Sequence, residues 1–319
     1  MKKLIAILVI AAALVVVAGQ VDDELSDTAR NIIDRVDAEA NSESYLYLNG
    51  IFAGENDDPI EVGRNILDKV QDYKSEEGGD YVGYPDSRKI NLPQGDEFCE
   101  IKEEGCFDYL FASEIDHKRI LKEHALLLER SERFLGFNEF ATLSKPAMDE
   151  ALPPYRYVTA AERIKVIEAI SHYLDGKSEE AIVLLSTEFS RFRSSMALQD
   201  NLIGRLVFLS VLSEILDVMS VIGSDTGVNL NRIPELGTQE KSLGKASARE
   251  LAMVGHVFQE LDRNSEFFQM GGNLPGWIVR IVYKPNMTLN AVAPFYDDLD
   301  RLVMLDPSDF AMRIGSSET

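Results

Sequence analysis

The chain has 319 residues, enough for one or two domains with a substantial core, and its 45% hydrophobic content is that of a globular protein. Its net charge of −22 repels nucleic-acid phosphates and anionic lipid headgroups, so nucleic acid is excluded as a partner. The acidity reads as a solvated surface that keeps an exported protein soluble.

Residues 1–20 form a signal peptide or an N-terminal membrane anchor. Lys2 and Lys3 precede an unbroken apolar run, Leu4 to Ala18, and acids follow at Asp22, Asp23 and Glu24. Positive charge before an apolar run marks the cytoplasmic side, which sends the rest of the chain to the bacterial periplasm. The run is longer than most signal-peptide cores and shorter than most spanning helices. Small residues at Val16, Val17 and Ala18 suit cleavage before Gly19, while an uncleaved leader would tether the chain to the inner membrane through residues 4–18. The absence of a cysteine near residue 19 excludes a lipoprotein. Residues 21–319 are expected to form a single periplasmic helical domain.

Helical spacing appears over Leu25 to Ala38. The aromatic segment Ser44 to Phe52 suits a short strand or a buried helical turn. Asp57 and Asp58 before Pro59 predict a helix start, with Ile60, Gly63, Ile66, Leu67 and Val70 on its inner stripe. Glycines, prolines and charges over 75–97 predict a mobile loop. Cys99 and Cys106 follow, with six residues between them, and an oxidising compartment favours a disulfide worth about 2 to 3 kcal/mol in the chain-entropy picture. Their spacing fits neither a thioredoxin-type dithiol nor a zinc site.

A single long amphipathic helix is predicted from Phe107 to Phe137, carrying Leu110, Phe111, Ile115, Leu121, Ala125 and Leu128. Prolines break the chain at 146–154. Segments 159–174 and 178–196 flank Asp175-Gly176-Lys177, which predicts an antiparallel hairpin with Gly176 as stop and Ser178 as cap. This joint resembles that of a tetratricopeptide-type helix pair, but no second copy occurs at its 34-residue period. Residues 200–222 are the most apolar stretch after the leader. Arg205, Glu214 and Asp217 argue for a central core helix there and against a membrane span. A helix follows over Ala246 to Asp262. Trp277 to Tyr283 leans helical, with Pro285 as its end, and Asn286 or Thr288 would cap a last helix, Leu289 to Leu305. Residues 314–319 are expected to fray.

No phosphate loop, nucleophile elbow or EF-hand spacing occurs, and no catalytic, metal or cofactor-binding residue is assigned. His117 and His124 lie seven residues apart, too far to share a metal on one helix, even with Glu114 and Asp116 beside them. His172 sits near a helix C-terminus, and His256 has no companion.

Read together, SYLYLNGIFAGENDDPIEVGRNIL, the cysteine pair, LLLERSERFLGF, PPYRYVTAAERIKV, QDNLIGRLVFLSVL and YKPNMTLN resemble a family of proteobacterial envelope proteins with an N-terminal membrane segment and no known activity. The resemblance implies export and helical structure; it carries no functional residues over. The expected fold is an all-α bundle, or an irregular array of antiparallel helical hairpins around the 200–222 helix. The expected function is that of a non-catalytic scaffold or binding protein for an envelope protein or peptide. The alternative is a hydrolase-like envelope enzyme with a noncontiguous acid and histidine site. Cell fractionation is expected to recover the chain in the periplasm or inner membrane; recovery from the cytosol would overturn the reading of the leader.

Overall fold

The computed structural model describes residues 19, 21–36, 41–75, 83–99, 103–112, 115–147, 150, 152–227, 233–261 and 283–315. Among them every regular element is helical and no strand occurs, so the chain is all-α. In chain order the helices are α1 (Asp27–Ile33), α2 (Glu43–Asn49), α3 (Pro59–Ser75), α4 (Cys106–Ala112), α5 (His117–Glu123) and α6 (Ala125–Leu135). They continue with α7 (Arg156–Leu174), α8 (Ser178–Leu198), α9 (Leu202–Thr226), α10 (Thr238–Lys241), α11 (Gly244–Leu261), α12 (Pro285–Leu302) and α13 (Pro307–Gly315). The leader core at 4–18 and the stretch from Trp277 to Val282 lie outside the described residues. The fold divides into two compact units.

The larger unit joins Ala38–Ser144 to Ala151–Lys241. Its core centres on α7, α8 and α9. Gly176, at φ 79°, ends α7, where the Lys177 amide donates to the His172 carbonyl and the Gly176 amide to that of Tyr173. This is the left-handed stop that lets α8 fold straight back. The Asn201 side chain then caps α9 by accepting from the Gly204 amide at 2.7 Å. Val211, Leu212, Ile215, Val218, Met219 and Ile222 of α9 are buried, as a core helix requires. The segment Ser44 to Phe52 is a helix followed by a turn after Asn49: α2 buries Tyr45, Leu46, Tyr47 and Leu48, and Ser42 caps it. The sulfurs of Cys99 and Cys106 stand 2.02 Å apart, at disulfide distance.

The smaller unit joins Met1–Asp37, Lys145–Glu150 and Ser242–Thr319. Here α1, α11 and α12 bury Ala29, Ile32, Ala248, Leu251, Leu289 and Ala293 against one another. The Asp22 carboxylate accepts from the Asn286 amide at the first turn of α12 (2.8 Å), where an anion meets unpaired amides and the positive end of the helix dipole. Asn290 accepts from the Ser26 amide and donates to the Glu24 carbonyl, which stitches the N-terminal stretch of chain to α12.

Several expectations are corrected. The predicted helix from Phe107 to Phe137 is broken into α4, α5 and α6. The Asp116 side chain takes the Arg119 amide (3.1 Å) as a new helix cap, and His124 leaves helical geometry at φ −111°. Lys177, not Ser178, occupies the cap position of α8, with no side-chain cap bond. Pro285 opens α12 instead of ending a helix, because its fixed φ suits a first turn and it has no amide to leave unpaired. Neither Asn286 nor Thr288 caps that helix; Lys284 holds the position and Asp22 supplies the acceptor. Ile314 and Gly315 belong to α13. Leu206 of α9 points outward at 62% exposure, whereas Leu212 is 3% exposed. Replacing Leu212 by Ala is therefore expected to cost about 2 to 5 kcal/mol in urea unfolding. The same change at Leu206 is expected to stay within about 0.5 kcal/mol.

Candidate functional site

A cleft of about 710 Å³ opens between the loop leading into α3 and the facing turns of α5 and α6. Its position follows from two glycines. A Cβ at Gly63 would lie 1.9 Å from the Leu46 carbonyl oxygen, and one at Gly50 would lie 2.0 Å from that of Pro59. Only glycine lets α2 and α3 cross with their backbones touching. The loop between them is held from both sides. Asp57 accepts from the Tyr84 hydroxyl and from Arg88 (2.6 Å), and the Gly54 amide donates to the Tyr84 oxygen. From the other side the Arg130 guanidinium donates to the carbonyls of Asp57 (3.1 Å) and Gly54 (3.4 Å). The Tyr84 hydrogen bond, helped by Arg88, holds the Asp57 carboxyl below the usual carboxylate range. The Asp58 carboxylate accepts from the Ile60 amide at 2.7 Å, as the capping reading of Asp57-Asp58-Pro59 requires.

Arg130, Arg133 and Lys122 form the opposite wall, on successive turns of α5 and α6. Arg130 is 7% exposed, and its Nε has no hydrogen-bond partner. Arg133 lies over the Tyr47 ring, 5.1 Å from its centroid. The Tyr47 hydroxyl is buried against Arg130; burial pushes it up, against the pull of that side chain.

A second polar cluster lies inside the α7–α9 layer. Glu162 is 3% exposed and neither carboxylate oxygen has a hydrogen-bond partner. Burial, with Glu188 of α8 and Glu214 of α9 nearby, raises its carboxyl well above the ordinary 4.5. Glu188 is raised too, by burial, although Arg191 donates to it at 2.9 Å. Glu214 pairs with Arg163 at 2.8 Å. The sequence reading passed over Glu162, since a glutamate in a helical pattern reads as solvated. Its signal is α7 itself, whose buried residues run around the whole helix and leave no wet face.

The histidines do not converge. His117 Nδ1 is 2.7 Å from Ser171 Oγ, and its ring centroid is 6.3 Å from that of His172, which faces Glu180 at 3.8 Å. His124 packs edge-on to Phe98, with its basicity lowered by burial, and His256 is exposed in the smaller unit. Asp116 serves α5 as a cap, and Glu114 lies outside the described residues. Among the described residues no three His, Cys, Asp or Glu side chains are placed to hold a metal.

Comparison with protein-family models, curated proteins and solved structures gives no match, so the functional reading rests on this chain's own residues.

The upward shift of the Glu162 carboxyl has a measurable consequence. A folded-state value above the unfolded one adds stability that is complete below about pH 4.5 and is lost as pH rises through the folded value. Glu162→Gln is expected to be more stable than the natural chain at neutral pH, and to show a shallower decline in urea midpoint with rising pH. Parallel pH profiles for the two would contradict this assignment.

Proposed function

We propose that this chain is a non-catalytic binding or scaffold protein of the bacterial periplasm, held at the inner membrane wherever its leader is retained. The observation that carries the reading is the outer face of α9. The most apolar helix after the leader leaves Ile203, Leu206 and Leu209 exposed at 41%, 62% and 51%. A surface helix of a globular unit normally turns its polar side to water, and a contiguous apolar patch marks a contact site. Small residues Ser210 and Ser213 continue the face and permit close approach by another helix.

Length and composition alone would let α9 cross a bilayer, with mean hydropathy 2.0 over its best window. Its charged groups favour a core helix with one open side. Arg205 donates to the carbonyls of Gln199, Ala197 and Glu240, and Glu214 is paired with Arg163. The cysteine pair at disulfide distance suits an oxidising compartment.

A hydrolase-like envelope enzyme is the second reading, favoured by the Ser171–His117 contact. Such a pair needs a third group to orient the imidazole, and among the described residues none bonds the other nitrogen of His117. Two experiments separate the readings. A photo-crosslinking residue at Leu206 or Leu209, expressed in cells, is expected to give discrete protein adducts absent from the same residue at Glu179; a lack of adducts at both would reject the docking face. A fluorophosphonate probe is expected to leave Ser171 unlabelled, and labelling abolished by Ser171→Ala would establish the enzyme instead.

A further inference from the structure

The cleft beside α3 holds charges that no opposite charge of the fold neutralises. Asp57 is taken by Tyr84 and Arg88, Asp58 by the Ile60 amide, and Glu123 by Arg119 at 2.7 Å. By contrast, no carboxylate among the described residues stands within 4.0 Å of Lys122, Arg130 or Arg133. That is unexpected where 54 acidic residues compete for 32 basic ones. Glu55 and Glu129, on the same cleft, are likewise without an ion pair. Beneath the basic wall the Tyr47 hydroxyl and Arg130 are buried against each other, and neither that hydroxyl nor Arg130 Nε makes a well-formed hydrogen bond. The cleft thus presents bases without a carboxylate on one side and carboxylates without a base on the other.

We infer that this cleft binds a small zwitterion, an amino acid or the end of a short peptide, with its carboxylate on Arg130 and Arg133 and its ammonium group toward Glu55 and Glu129. Guanidinium groups favour carboxylates through paired, charge-assisted hydrogen bonds. A simple anion meets the repulsion of a chain at −22, and a simple cation meets three bases that have no carboxylate partner. A ligand carrying both charges avoids both penalties. The volume, about 710 Å³, lies within the usual range for small-ligand sites of roughly 300 to 1,000 Å³. None of the lining residues belongs to α9, so the inference stands apart from the docking face.

Calorimetric titration of the exported chain with trialanine, trialanine amide, N-acetyl-trialanine, free alanine and acetate tests it. Trialanine or alanine is expected to bind, with capping of either end of trialanine weakening it at least about ten-fold. Tighter binding of trialanine assigns the peptide end, and tighter binding of alanine the free amino acid. Arg133→Gln is expected to abolish the distinction between trialanine and its amide while lowering the thermal midpoint only slightly, since Arg133 is exposed and lies over the Tyr47 ring without an ion pair. No heat from alanine or trialanine up to roughly 10 mM, equal binding of capped and uncapped peptides, acetate binding as tightly, or an unaltered Arg133→Gln would each overturn it.

Discussion

The backbone contact between α2 and α3 is the constraint on which the cleft side of the larger unit depends. Gly50 and Gly63 bring the Leu46 and Pro59 carbonyls within the space that any side chain would need. The crossing fixes where α3 begins, hence where Asp57 and Asp58 stand and which carbonyls Arg130 meets. A pair of residues without side chains thereby sets the position of the acidic loop on one side of the opening. Adding even a methyl group at Gly63 would push apart two segments whose separation nothing else in the sequence specifies.

One device recurs across the larger unit: an arginine on a helix reaches over and grips main-chain carbonyls of a loop or of a helix end. Arg130 holds Gly54 and Asp57; Arg163 holds Cys99 at 2.6 Å; Arg193 holds Pro234 and Glu235; Arg205 holds Ala197, Gln199 and Glu240. The planar guanidinium presents several donors in fixed directions, which suits it to carbonyls that loops leave unpaired. Arg193 also pairs with Glu240 at 2.6 Å, which lowers that carboxyl. Such contacts explain how long irregular stretches stay attached to a helical core. Glu162 is the counterexample, a buried carboxyl with no hydrogen bond to either oxygen, its hold on a proton strengthened by burial.

Much of this architecture is legible in the residues. The Asp-Asp-Pro start of α3, the Gly176 turn and the apolar run of α9 each follow from local chemistry, and the all-α class follows from their spacing. The failures have a common cause, which is that local signals do not specify distant partners. Nothing near Asn286 says that Asp22 will cap its helix, since the two lie 264 residues apart. Leu206 and Leu212 share a composition and differ only in which way α9 is turned. The cleft was illegible for the same reason: Lys122, Arg130 and Arg133 look like an ordinary wet helix face until the loop at 54–58 is brought against them.

The stitching of Asp22, Glu24 and Ser26 to α12 bears on how an uncleaved copy would sit at the bilayer. From Ala18 to Asp22 the polypeptide has four residues of reach, at most about 14 Å when fully stretched. There is no leash long enough for free tumbling. An anchored molecule would carry its smaller unit nearly flush against the lipid headgroups, with α12 confined to the first layer of the periplasm and its orientation dictated by that short stalk.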